Sequence, residues 1–368
     1  MTYVCESLLS MKPAKFLLLV LIASLLNIAD AAAQDADPAC PDSQFTSWGA
    51  VGVVTPGDAN NLRDKPSTSG ALIGKVQPGE PFVVNYSSDP VCAEGYLWRE
   101  IQTLTQRGWT VEIPADGDEP FIVPYVVPEP REVGAVGEDG SYVIEEGGIR
   151  LVLPQQLNIE SATVQPDVGL FGDVMSAQPS SVIFTFYQEG REHAIGTIEI
   201  FPYDLSPAVY DYWEGSDLEL LLEERPDLIE YADRNRMPQF PIAGVAALFG
   251  GAPIYAPFGS GDGLRYITYF AQDWVLFDAD MGYAYIYRGI SEDRDFLVAG
   301  RMLIYIPAEA IPRGGSRADD AYPGYIDQLE ANLAALPTDA FTPDIDLLDL
   351  TMSWLTITDP EALLDLIP

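Results

Sequence analysis

The sequence predicts two folded units: a small all-β domain, closed as a barrel or sandwich, then an α+β domain with a mainly antiparallel sheet and packed helices. Three observations lead there. Short apolar runs separated by Gly, Pro, Asn and Asp recur from about Cys40 to Ile113, the pattern of a small β domain. Downstream, several strand-like runs follow one another with no helix between them, which favours antiparallel pairing because a parallel partner needs a crossover of about a dozen residues or more. Helical spacing then appears near the end of the chain, so helices are expected to pack on that sheet.

Residues 1–33 read as a secretory signal peptide and are set aside from the fold. Lys12 and Lys15 precede an apolar run from Phe16 to Leu26, and Ala31-Ala32-Ala33 offers a small-residue cleavage site. Met11 opens a conventional leader by itself, which leaves Met1 or Met11 as the start. No later run approaches the roughly 20 apolar residues a membrane span requires, so the expectation is an exported chain with no transmembrane segment. Removing the leader takes Cys5 with it and leaves Cys40 and Cys92. An even pair in an exported chain points to a disulfide, the alternative being two buried thiols.

Nineteen Lys and Arg stand against 56 Asp and Glu, a net charge of −37. Such a surface repels phosphate backbones and argues against nucleic-acid binding. The 48% hydrophobic content is too high for a disordered acidic chain and is enough for a sizeable core.

In the first unit, residues 40–113, strands are expected at Val51 to Thr55, Ile73 to Val76, Pro81 to Asn85, Tyr96 to Ile101 and Trp109 to Glu112. Residues 114–140 carry Pro114, Pro120, Pro124, Pro128 and Pro130 among glycines and acids, so they cannot hold a helix and read as an extended linker. The second unit, residues 141–368, offers strands at Ile149 to Leu153, Val182 to Tyr187, Ile195 to Phe201, Leu264 to Phe270, Tyr283 to Ile290 and Phe296 to Ile306. Ser216-Asp217-Leu218-Glu219 has the form of a capping box opening a helix that Pro226 stops. Ile326, Leu329, Leu333 and Leu336 keep helical spacing, as do Ile345, Leu348, Met352 and Leu355.

Asn61-Leu62-Arg63, Pro66-Ser67, Ile73-Gly74-Lys75-Val76 with Pro78-Gly79, Tyr96-Leu97-Trp98 and Gly108-Trp109-Thr110-Val111 occur in the order of a bacterial SH3-like domain. The N-terminal unit resembles that family over roughly 70 residues, with Thr110 inserted before the closing Val111. The resemblance implies an SH3-like barrel acting as a binding or targeting module. Its partner would be a cell-envelope peptide or another exported protein, although one fold hosts many partners. Trp98 and Trp109 are large enough to fill much of so small a core and are read as packing residues. Asn60, Asn61, Tyr86 and Tyr96 are the groove candidates for ligand binding.

Wall hydrolases often accompany such a module, so their catalytic parts are worth seeking. No cysteine follows Cys92 to serve as a nucleophile. The chain has one histidine, His193, where open zinc sites use two or three. It follows a polar stretch between two strand candidates and is read as an exposed turn residue. Gly259-Ser260-Gly261-Asp262-Gly263 lacks the spacing of a nucleophile elbow. Asp278 and Asp280 are read as a solvated turn, since no calcium-loop pattern follows. Neither metal nor cofactor is expected. Carboxylate-only glycan hydrolysis survives this elimination, because it needs just two acids.

Tyr283, Tyr285 and Tyr287 alternate and so project from one face of a strand. That face is a ligand platform or, as preferred, core. The expected function is an exported, non-enzymatic binding protein. The alternative is a carboxylate-dependent glycan hydrolase targeted by the SH3-like module.

Overall fold

The structure, a computed structural model, describes residues 40–46, 50–85, 88–103, 106–117, 119–167, 180–203, 215–232, 237–240, 246–313 and 321–367. Its first sheet uses β1 (Val51–Val54), β2 (Asn60–Arg63), β3 (Leu72–Val76), β4 (Pro81–Val84), β5 (Val91–Ala93), β6 (Tyr96–Gln102), β7 (Arg107–Pro114) and β8 (Ile122–Pro124). Alternation sets which side chains point inward: Val54, Phe82, Val84 and Ile101 are buried together with Leu62 and Ile122. Gly108 is required where β2 crosses β7, because a Cβ there would lie 2.6 Å from the Arg63 carbonyl oxygen. The strand order runs β3-β2-β7-β6-β4-β1-β8, with β5 on the side of β6. This path is open, with β3 and β8 at its ends, so the closed barrel expected from the sequence is corrected to an open antiparallel sheet.

A strap at residues 40–46 crosses this unit. The Cys40–Cys92 disulfide holds one end, with the two Cα atoms 5.8 Å apart. The other end is tied to a buried ion pair, Arg99 Nε to Glu112 Oε2 at 3.1 Å. Ser43 Oγ and the Gln44 amide both donate to the Glu112 carboxylate, at 2.8 and 2.6 Å, and Arg99 Nη2 donates to the Phe45 carbonyl at 2.9 Å. The burial of so polar a pair is offset by bonds to nearly every charged atom in it. Trp98 is fully buried, as expected, and its Nε1 donates to the Ala93 carbonyl. Trp109 is only half-buried, whereas its neighbour Thr110 is fully buried and donates to the Asn61 carbonyl.

Beyond β8 come β9 (Arg131–Val133), β10 (Ala135–Val136), β11 (Tyr142–Glu146), β12 (Ile149–Leu153), β13 (Ile159–Asp167), β14 (Ser181–Gln188) and β15 (Gly196–Pro202). Then follow β16 (Ala246–Ala247), β17 (Gly251–Tyr255), β18 (Gly261–Thr268), β19 (Phe270–Ala271), β20 (Tyr283–Ser291), β21 (Phe296–Ile304) and β22 (Thr356–Ile357). An eight-stranded sheet has the order β17-β18-β20-β21-β15-β14-β13-β9, and a four-stranded one the order β10-β11-β12-β22. Every ladder pairing of these strands is antiparallel. The Pro-rich segment 114–140 therefore supplies β8, β9 and β10 to three different sheets.

The described helices are α1 (Gly215–Glu224), α2 (Leu228–Ala232), α3 (Tyr322–Ala335), α4 (Ile345–Ser353) and α5 (Pro360–Leu364). The α+β assignment is corrected here: among the described residues strand takes 42% against 18% for helix, which makes this a mainly β protein built from several antiparallel sheets. The helices form where local signals place them. Asp344 caps α4 by accepting from the Asp346 amide at 2.9 Å, and Asp359 caps α5 by accepting from Ala362 at 3.1 Å, with Pro360 in its first turn. Arg225, at φ 50°, ends α1 before Pro226; the Ser216 side chain of the expected capping box lies outside the described residues. Among the described residues, no helix is long and apolar enough to cross a membrane.

Strand β20 is buried along its whole length, because the sheet is covered on both faces. Tyr283, Tyr285 and Tyr287 project into the larger core with Leu329, Leu333, Leu348 and Met352 of α3 and α4. Ala284, Ile286 and Ile290 face the other way, toward Leu218 and Leu221 of α1 and Leu228 of α2. The tyrosine row is thus core, and each hydroxyl has an acceptor: the Asp278 carbonyl, Asp349 Oδ1 and the Ala256 carbonyl, all at 2.8 Å. Tyr266 of β18 lies on the opposite face and donates to the Pro238 carbonyl.

Candidate functional site

The groove residues read from the sequence do not converge into a site. Asn60 Nδ2 donates to the Val111 carbonyl at 2.9 Å, and its Oδ1 accepts from the Asn61 amide at 3.1 Å, so Asn60 stitches β2 to β7. Asn61 is exposed on β2. Tyr96, half-buried, packs edge-on to Trp98 at 6.3 Å and sits opposite Pro114. Tyr86 lies outside the described residues. His193 is exposed in the connection from β14 to β15. Asp278 forms a turn, its Oδ1 accepting from the Asp280 amide. Among the described residues, no group of three His, Cys, Asp or Glu side chains is arranged to hold a metal ion.

A cleft of about 350 Å³ opens instead beside α3. Trp274 and Tyr322 line it, and two tyrosines of that helix hold the segment 274–277 in place. Tyr322 Oη accepts from the Val275 amide at 3.2 Å and donates to its carbonyl at 3.1 Å, while Tyr325 Oη accepts from the Phe277 amide at 2.9 Å. Each tyrosine also stacks on an aromatic ring of that segment. Trp274 lies on Tyr322 with centroids 5.0 Å apart and planes 2° from parallel, and Phe277 lies on Tyr325 at 5.9 Å and 5°. Phe277 and Tyr325 are buried, but Trp274 is 38% exposed. Its indole is therefore fixed on one face and open on the other, the arrangement of a stacking platform.

Asp273, Asp327 and Glu330 line the same cleft. Asp273 Oδ1 accepts from the Trp274 amide at 2.7 Å, which sets the turn that presents the indole. Glu330 Oε1 accepts from the Gly250 amide at 2.7 Å, fixing one carboxylate against the start of β17. Asp327 lies one turn earlier on the same helix and is exposed. A second hollow of about 440 Å³ continues along α3 and shares Ala232, Gly250, Asp327 and Glu330 with the first.

A separate polar row lies on the sheet face opposite the tyrosines. In register, Arg288 faces Ala299, and Ala299 faces Glu199; the small Ala299 leaves space between the two charged side chains. Ser181 Oγ donates to Glu199 Oε1 at 2.7 Å. Burial pushes the Glu199 carboxyl up to about 7; Ser181 and Arg288 oppose the rise and Asp167 adds to it. Arg288 is itself buried, stacks on Phe240 at 5.0 Å, and has no hydrogen-bond partner for its Nε. Burial lowers the guanidinium below its usual range.

The sequence could not reveal the cleft, because Trp274 and Tyr322 meet only through the fold. Compared with protein-family models, curated proteins and solved structures, the chain matches none.

Proposed function

We propose that this is an exported, non-enzymatic binding protein whose ligand lies in the cleft beside α3. Residues 40–113, which resemble bacterial SH3-like domains, attach it to an envelope component or to another exported protein. The observation that carries the reading is the half-open indole of Trp274, held rigid on Tyr322 in a cleft of ligand size. Clefts of about 300–1,000 Å³ with aromatic walls and a few placed polar groups are the usual form of a ligand site. Both mature cysteines are consumed by the Cys40–Cys92 disulfide, and His193 is exposed in a connection far along the chain from either. These residues supply no nucleophile and base in one place.

The test is to titrate the mature chain and its Trp274→Ala variant with envelope-derived glycans and peptides, following intrinsic fluorescence and recovering the ligand for mass spectrometry. Saturable binding lost in the variant, with the ligand recovered intact, supports the reading. Chemically altered ligand, or binding indifferent to Trp274, overturns it.

Glu199 favours a second reading, carboxylate-dependent glycan hydrolysis. A buried carboxyl raised to about 7, with Asp167 near enough to add to the rise, supplies the two acids such chemistry needs. Asp167 on β13 and Glu199 on β15 share a face through Ser181. Neither lines the aromatic cleft, so the binding reading is preferred. Product release abolished by Glu199→Gln would reverse that preference.

A further inference from the structure

We infer that the cleft beside α3 receives a basic peptide segment, with a lysine or arginine side chain laid over the open face of Trp274; this rests on the cleft being the binding site. The carboxylates of Asp273, Asp327 and Glu330 border the two joined hollows and favour a cationic ligand. A cation on the indole face gains from the ring quadrupole, and the exposed Asp327 lines the same cleft. The hollows supply the length. Their lining runs along α3 from Tyr322 to Ala334, about 18 Å by helix rise, which matches five or six residues of extended peptide at about 3.3 Å each. The far end is lined by Ile229, Ala331 and Ala334, an apolar shelf for the body of such a segment. A chain of net charge −37 steers cationic partners toward itself and repels anionic ones.

The experiment uses the full mature chain and a fluorescein-labelled hexapeptide alternating arginine and leucine, at about physiological ionic strength so that bulk attraction is screened. Trp274→Ala is expected to weaken binding about tenfold or more and Trp274→Phe much less, while Asp327→Asn weakens it several-fold. Asp365→Asn, outside the cleft, is expected to leave it unchanged. Thermal melts confirm that each variant is folded.

Equal loss from Asp365→Asn and Asp327→Asn would mean bulk charge alone and would overturn the inference. Full competition by spermidine at equal concentration would overturn the peptide and leave a small amine in its place. Trp274-dependent binding of a neutral chito-oligosaccharide, with the basic peptide ignored, would sink the inference and keep the proposed function. Trp274→Ala binding every probe as the parent does would sink both.

Discussion

Tyr285 and Asp349 stand 64 residues apart in the chain and share a hydrogen bond of 2.8 Å, phenol to Oδ1, that fastens helix α4 to the middle of the large sheet. Arg265 reaches the same carboxylate, Nε to Oδ1 at 3.3 Å and Nη2 to Oδ2 at 3.4 Å. Burial pushes the Asp349 carboxyl up, against the pull of Arg265 and the tyrosine bond. Burial first, then the adjacent Asp349 charge, holds the Tyr285 phenol well above its usual range, so it remains a donor at any physiological pH.

Removing the ring should therefore cost more than removing the hydroxyl. Tyr285→Ala is expected to lose ~3–5 kcal/mol through transfer and cavity terms, and Tyr285→Phe ~1–2 kcal/mol through the bond lost to Asp349. Urea unfolding of the two variants measures both. An unchanged midpoint for Tyr285→Ala would mean that this face is not core.

Non-reducing peptide mapping should recover Cys40 joined to Cys92. With a sequence separation of 52, the chain-entropy model gives at most ~4 kcal/mol, so Cys92→Ser should melt earlier by a corresponding margin. Two freely alkylated cysteines in the native protein would contradict the bridge.

The Arg99 and Glu112 pair makes a sharper demand. Glu112→Gln leaves a buried guanidinium uncompensated and loosens the strap at Ser43 and Gln44, for an expected loss of ~3–5 kcal/mol. The double replacement Arg99→Met with Glu112→Leu should recover much of it, because two apolar groups bring no unpaired charge. A double mutant cycle by thermal denaturation reads the coupling, and additivity would show that the two residues do not act as a pair.

Glu199 gives a pH dependence of defined sign. Its carboxyl is raised from 4.5 to about 7 in the folded state, so the fold binds its proton more tightly than the unfolded chain does. The associated stability is present below about pH 4.5 and is lost as pH rises through about 7, with a ceiling of about 3 kcal/mol for a shift of this size. Urea midpoints taken at several pH values for the parent and Glu199→Gln should converge at low pH and separate toward pH 8, the parent being the weaker. Parallel curves would mean that Glu199 titrates normally.

Signals confined to a few residues were legible in the sequence. Alternation gave the face shared by Tyr283, Tyr285 and Tyr287, helical spacing gave Ile345, Leu348 and Met352, and the even cysteine count gave the bridge. The prolines of 114–140 misled for a physical reason: Pro124 ends β8, an edge strand that tolerates proline because one side of it needs no donors, while β9 and β10 are short edge strands that follow the prolines and contain none. Strand β17 was hidden similarly, its Gly-Ala-Pro start carrying a positive φ at Ala252 and a register shift against β18. The helical windows were real, but short; they could not show how many weakly patterned strands would outweigh them in the fold class. Asn60 was read as a groove residue when its side chain was already committed to Val111, a bond invisible without the β2–β7 crossing.

The pairing of β22 with β12 sets a constraint on the order of assembly. Thr356 Oγ1 reaches the Arg150 carbonyl at 3.3 Å, across 206 positions, and the Thr358 amide donates to Gly148 at 2.6 Å. Contacts of such sequence separation form slowly, because the entropy of closing the intervening loop is lost before any bond repays it. A ribosome must synthesise the chain through Thr358 before β12 acquires its outer neighbour, so every shorter nascent chain displays the β12 edge uncovered. Chains stalled or truncated before Thr356 should accordingly aggregate through that strand and depend on chaperones.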